Sequence, residues 1–201
     1  MSIQTIEQLR ALYSSPSGRA KIKAIPQLEY HSKNFISKSP FVVISSVDKH
    51  YKLDASPRGG AAGFVKVIDD KTVLIPDAKG NNRLDSLSNI IATQHIGLLF
   101  MIPGVDETLR VNGKAYLSND TYHLDYFIEE HKTPTACIVV HIEELFLHCA
   151  KAFMRSKLWD DSAKIDRKEL PTLSKMLNSQ LNIDGPLESQ EDMVARYQDD
   201  L

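Results

Sequence analysis

The sequence predicts a mainly β protein: an antiparallel barrel, closed or nearly closed, with helices at its periphery. Three observations carry that reading. About seven short segments are rich in Val, Ile, Leu and Phe at strand length. Most are joined by short hairpin-like connections rather than by crossover helices. The helical patterns are few and short, so a doubly wound parallel sheet fits poorly.

The elements follow in chain order. "IQTIEQLRALY" (3–13) places Ile3, Ile6, Leu9 and Leu12/Tyr13 on one helical face, and "SSPSG" ends it. A second helix is expected from about Gln27 to Lys38, with Leu28, His31, Phe35 and Ile36 inward, ended by Ser39-Pro40. Strands are expected at "FVVISSV" (41–47), "YKLDAS" (51–56), "GFVKVI" (63–68) and "TVLIP" (72–76), with a turn at Asp69-Asp70. "RLDSLSNIIAT" (83–93) reads as a helix beginning near Asn82, its face formed by Leu84, Leu87, Ile90 and Ile91. "HIGLLFMIP" (95–103) reads as a buried strand and "TLRVNGKAYLS" (108–118) as an alternating one. "DTYHLDYFIEE" (120–130) is amphipathic with Asp120 as N-cap. "TACIVVHIEELFLH" (135–148) is the longest strand. Helices near 171–181 and 187–199 close the chain. The expected organisation is an N-terminal helical extension (1–26), a barrel domain (27–160) and a helical C-terminal extension (161–201).

Composition bounds the function. The chain has 201 residues, 42% hydrophobic and 25% charged, which is ordinary for a domain able to bury a sizeable core. A net charge of −2 gives no general attraction to nucleic acid or to an anionic membrane, so any anion site must be local. No signal peptide is recognised, and no apolar run approaches the roughly 18–20 residues of a membrane span. With only Cys137 and Cys149, the expectation is a cytoplasmic protein with reduced thiols.

Four clusters carry possible chemistry. In "DASPRGG" (54–60), Pro57 removes a backbone donor, Gly59 and Gly60 permit a sharp turn, and Arg58 offers a fork of donors. It reads either as a strand-ending turn or as a ligand cradle. In "IPDAKGNNRLDSLSN" (75–89), a Gly/Asn loop precedes a helix N-terminus, where free N–H groups favour phosphate. Arg83 in the first turn would need an anion to answer it, or would pair with Asp85. Arg110 and Asn112 share the polar face of their strand, which is also how a solvated face looks. In "HCAKAFMRSKLW" (148–159), Lys151, Arg155 and Lys157 surround the only tryptophan, Trp159; this is a planar-ligand clamp or a basic surface turn. Metal readings are weak, because strand alternation puts His141 and His148 on opposite faces. His31 reads as a satisfied core or interface histidine, and no nucleophile motif is present.

Taken in order, "HSKNFISKSPFVVISSV", "DASPRGG", "LIPDAKGNNRLDSLSNI", "GLLFMIPGVDETLRVNGKA" and "HCAKAFMRSKLW" resemble the pyridoxamine 5′-phosphate oxidase-like, FMN-binding split-barrel family, in particular its SPRG-motif subgroup of uncharacterised flavin-dependent proteins. The resemblance spans roughly residues 28–160. It implies a homodimer of six-stranded split barrels with FMN shared across the interface. It carries flavin contacts onto Ala55, Ser56, Pro57, Arg58 and Gly59, onto Ile75 and Pro76, and onto Asn82 and Arg83 at the phosphate. It places further contacts at Thr108, with Arg110 close to it, and at Lys151, Arg155, Ser156 and Trp159. No catalytic residue and no metal ligand is identified. "DASPRGG" and "GNNRLDS" depart from the Arg-rich strand and Ser-Arg-Lys loop of the oxidases proper, so that activity is not carried over. The expected function is a flavin-dependent oxidoreductase acting on an unidentified small molecule, with a nicotinamide or deazaflavin as possible electron donor. The alternative is a non-catalytic flavin or haem binding or sensor protein of the same fold.

Overall fold

The computed structural model describes residues 2–129 and 133–198. Glu130, the last residue of the expected 120–130 element, and position 199 of the last expected helix lie outside the described residues. By its internal contacts the chain forms two compact units, Met1–Arg155 and Ser156–Leu201.

The first unit is built on one antiparallel sheet. Its strands are β1 (Phe41–Val47), β2 (Leu53–Gly59), β3 (Lys66–Val67), β4 (Thr72–Pro76), β5 (His95–Ile102), β6 (Val105–Ser118) and β7 (Cys137–His148). The order across the sheet is β2-β1-β5-β6-β7-β4-β3. The sheet is therefore seven-stranded, with β2 and β3 at its two edges. Helices α1 (Ile6–Leu12), α2 (Arg19–Ile22), α3 (Tyr30–Lys38), α4 (Asp85–Thr93), α5 (Thr121–Leu124) and α6 (Lys151–Ser156) accompany it.

The strands form where β-branched and apolar residues run together. One face is the core: Val42 and Ile44, Leu98 and Phe100, Leu109 and Val111, Val140 and Ile142 are all buried there. Helix α3 closes that core with Ile36, and α4 closes it with Leu87 and Ile90. Burying such side chains stabilises the fold by about 1.5–3 kcal/mol each. Glu29 caps α3 by accepting the backbone N–H groups of His31 and Ser32, both at 2.7 Å. Asp120 caps α5 as expected, accepting Tyr122 N–H at 2.9 Å. On the other face, Phe127 covers Leu74, Cys137 and Val139 in a smaller cluster.

Several expectations are corrected. His31 is exposed rather than inward. Leu84 and Ile91, expected on the apolar face of the 83–93 helix, are exposed, at 51% and 72%. Leu84 is not in the helix: it is the N-cap residue in a left-handed conformation, φ 57°. The first helix forms, but none of its residues is buried. "GFVKVI" contributes only the two-residue β3, whereas β2 is longer than expected and runs through Pro57 to Gly59. Pro57 fits because β2 is an edge strand.

The consequential irregularity is in β7. Asn112 pairs with Glu144 and Gly113 with Ile142, so Glu143 is an extra residue on β7. This bulge shifts the alternation by one. Ile142 and Leu145 both face the core, and Glu144, Phe146 and His148 turn to the other face. Gly113 is required there. A Cβ at that position would stand 2.1 Å from the His141 carbonyl oxygen.

The second unit contains two 3₁₀ turns, at 161–163 and 167–169, followed by α7 (Leu173–Leu181) and α8 (Gln190–Gln198). Thr172 caps α7, and Ser174 exchanges hydrogen bonds with the Glu188 backbone. Arg196 forms a fork to Glu188, at 2.9 and 2.8 Å.

Candidate functional site

The sequence-predicted residues fall into three places. The first is the β2 edge with the loop leaving β4 and the start of α4. Alternation along β2 divides "DASPRG" between its faces. Asp54, Ser56 and Arg58 turn to the core side, while Ala55, Pro57 and Gly59 are exposed on the other. Asp54 accepts the Ser86 hydroxyl at 2.5 Å, which ties β2 to the first turn of α4. Arg58 Nη1 donates to Asp77 Oδ1 at 3.1 Å, which ties β2 to the end of β4. The Arg58 Nε is buried and has no hydrogen-bond partner among the described residues. Such a donor is costly unless something answers it.

The loop from Asp77 to Leu84 crosses this corner. Ala78 to Leu84 are exposed. Asn82 and Leu84 both hold positive φ, 59° and 57°. Helix α4 starts with no side-chain cap hydrogen bond, so its first backbone N–H groups are not occupied by a capping side chain. Arg83 lies just before this helix, not in its first turn as the sequence suggested. Its Nε donates to Asp85 Oδ2 at 2.7 Å, and the side chain is 72% exposed. The structure thus contains the Asp85 pair that the sequence reading left open.

Ile75 is fully buried in the core, so only its main chain is available to a ligand. Pro76 is half-buried at the end of β4.

The second place is the non-core face of β6 and β7. Thr108 is buried and pairs with His148. Arg110 pairs with Phe146 across the strands and stacks its guanidinium 4.3 Å from that ring centre. Glu144 Oε1 accepts from Asn112 Nδ2 at 3.1 Å and lies 3.6 Å from Arg110 Nη2. Arg58, paired with buried Val42, turns to the core side of the sheet, whereas Thr108 and Arg110 turn to the other side.

The third place is α6, where Lys151 and Arg155 are exposed four residues apart. Ser156 and Trp159 belong to the second unit, with Trp159 half-buried.

Titration behaviour follows burial. The His148 imidazole sits below its ordinary value, chiefly through burial and then through the cations of Lys23 and Arg110. Burial pushes the Cys137 thiol up, so it is a packed thiol rather than a nucleophile. Cys149 is exposed and also free. The bulge overturns one expectation: His141 pairs with Lys114 and His148 with Thr108, so both histidines share a sheet face. They lie roughly 20 Å apart along β7. No group of three or more potential metal-ligating His, Cys, Asp or Glu residues occurs among the described residues. No helix among them is long and apolar enough to cross a membrane.

Two open grooves lie elsewhere. One of about 460 Å³ is lined by residues including Tyr30, Lys33, Lys66 and Tyr126. The other, of about 530 Å³, is lined by residues including Asp70, Lys71 and His141. Neither contains a residue of the expected flavin site, although His141, weighed above as a metal ligand, lines the second. The sequence reading assigned no binding role to Asp77, which holds Arg58, to Phe146, which the bulge sets beside Arg110 with His148, or to Lys23, which lies over the same ring.

The family model described as pyridoxamine 5′-phosphate oxidase matches residues 28–149. No curated protein matches the chain. Among solved structures, the HupZ protein of Group A Streptococcus is similar at 17% identity and a TM-score of 0.50, over 60% of this chain and 93% of that one. The FAD binding protein from Mycobacterium smegmatis is similar at 14% identity and 0.43, over 62% and 97%. An FMN-binding protein from Syntrophomonas wolfei is similar at 15% and 0.38, over 58% and 87%.

Proposed function

The chain belongs to the pyridoxamine 5′-phosphate oxidase family, and from that premise we propose that it binds FMN and serves as a flavin-dependent oxidoreductase for a small molecule. The observation that carries the reading is the corner where β2, the 77–84 loop and α4 meet. It combines a helix start without a side-chain cap, an exposed loop, and the buried unpartnered Nε of Arg58. A phosphate fits that donor set: backbone N–H groups and the helix dipole receive it, and an arginine completes it.

In this account the N–H groups at the start of α4 hold the phosphate, with Asn82 beside them. Arg83 exchanges its Asp85 pair for the phosphate oxygens. The exposed side of Ala55, Pro57 and Gly59 gives the flat ring a surface without bulk. The main chain at Ile75 and Pro76 borders it. Arg58, held by Asp77, keeps one donor in reserve beneath the same corner. FMN supplies the hydride chemistry when bound. The protein positions the cofactor, shields one side of it, and leaves the other to substrate.

A homodimer completes the proposed cleft. A second copy would bring its β6 and its Lys151 and Arg155 to the cleft. Comparison of FMN with riboflavin, which lacks the phosphate, tests the assignment. FMN is expected to bind at least about tenfold more tightly. Equal affinity removes the phosphate anchor, and failure of both to bind removes the reading.

A further inference from the structure

Away from the α4 corner, one cluster carries more positive charge than its own carboxylate answers. Arg110 and Lys23 each bring a cation against the ring of Phe146, at 4.3 and 4.2 Å. The His148 ring lies 5.0 Å from the same ring, centre to centre. Glu144 is the carboxylate of the group. Its Oε1 is already engaged by Asn112 and stands beyond hydrogen-bond distance of Arg110 Nη2, at 3.6 Å. The Arg110 Nε is buried and donates to nothing among the described residues.

These groups are fixed, not loose surface cations. Arg110, Phe146 and His148 are strand residues set on one face by the Glu143 bulge. Lys23 is held by its own bond to the Leu147 carbonyl, at 3.2 Å, and by the bridge pairing Ile25 with Leu145. The side chains of Arg110 and Glu144 keep 41% and 44% of their surface open, so a ligand has access. Two permanent cations beside one ring, with an unanswered guanidinium donor, make a place prepared for negative charge.

We propose that Lys23, Arg110 and His148 form an oxyanion-binding site for the carboxylate or phosphate group of a small molecule. The site itself stands without flavin. Its assignment to the substrate rests on the proposed function: Thr108, opposite His148 in the sheet, borders the flavin there, which makes the substrate an acid or a phosphoester.

The test uses the full chain and the imidazole carbon-bound proton resonance of His148, assigned by its loss in His148→Gln. Inorganic phosphate and, separately, benzoate are titrated at constant ionic strength with chloride as the balancing salt. A saturable His148 shift is expected with at least one probe: phosphate alone points to a phosphoester, benzoate alone to a carboxylic acid, and both to oxyanions generally. Arg110→Gln and Lys23→Gln should each weaken it at least about tenfold, while Arg83→Gln leaves it unchanged. If Arg110→Gln does not fold, Lys23→Gln carries the test. No saturable shift, or a shift unaltered by these substitutions, overturns the site. FMN binding is followed by absorbance in parallel. FMN binding without a His148 response removes this site and spares the flavin reading; the converse removes the flavin reading and spares this site.

Discussion

Arg58 on the edge strand β2 and Asp77 at the exit of β4 are joined by a 3.1 Å ion pair across the corner that the flavin reading assigns to the cofactor. Both side chains are mostly covered, at 20% and 24% exposure. The pair therefore lies between the weak surface case and the costly buried one. Asp77→Asn is expected to lower unfolding stability by about 1–2 kcal/mol, because it leaves a covered guanidinium unanswered. A double-mutant cycle with Arg58→Met in denaturant titrations should give a favourable coupling of about 1 kcal/mol. Zero coupling would show that the two residues act independently.

Gly113→Ala should be among the most damaging small substitutions in the sheet. The new methyl would meet the His141 carbonyl oxygen at 2.1 Å, and that neighbour is backbone. A loss of about 2 kcal/mol or more is expected, read as a lower denaturation midpoint. A midpoint equal to wild type would mean that β6 and β7 pair there in another register.

Arg83 is exposed and engaged with Asp85, so its removal should barely alter folding. FMN affinity is the quantity it should change. Arg83→Ala is expected to weaken FMN binding about 10–100-fold, the range for a charged hydrogen bond to phosphate. Asp85→Asn, which frees Arg83 from its competitor, should tighten binding. Unchanged affinity in both variants would remove Arg83 from the site.

His148 gives a pH signature. Its folded value is depressed by burial and by Lys23 and Arg110, so the folded protein binds this proton less readily than the unfolded chain. The associated stability is present above the unfolded imidazole value, about 6.5, and is lost as pH falls through the folded value. Denaturation midpoints of wild type should fall over this window, and His148→Gln should fall less. Parallel curves would show that His148 carries no such linkage.

The strands were legible because β-branched runs leave few alternatives: "FVVISSV" and "TVLIP" form β1 and β4 with the expected ends. The "DASPRG" segment is legible as strand only as far as Ser56, since Pro57 ends most strands and only the edge position admits it here. The start of α4 is hidden in the sequence because Leu84 carries the apolar spacing of a helix while its backbone is left-handed. The bulge at Glu143 left no composition signal. It depends on Gly113 accepting a close backbone across the sheet, and a single inserted residue reverses every side chain beyond it. That one reversal explains why His141 and His148 share a face and why Phe146 meets Arg110.

The most direct test of the central claim is the absorbance spectrum of the purified protein, before and after addition of FMN, with mass identification of any chromophore released by heat. The account predicts the two-band spectrum of a bound flavin and the mass of FMN. A protein that stays colourless after FMN is added, or one that shows a haem Soret band instead, would contradict it.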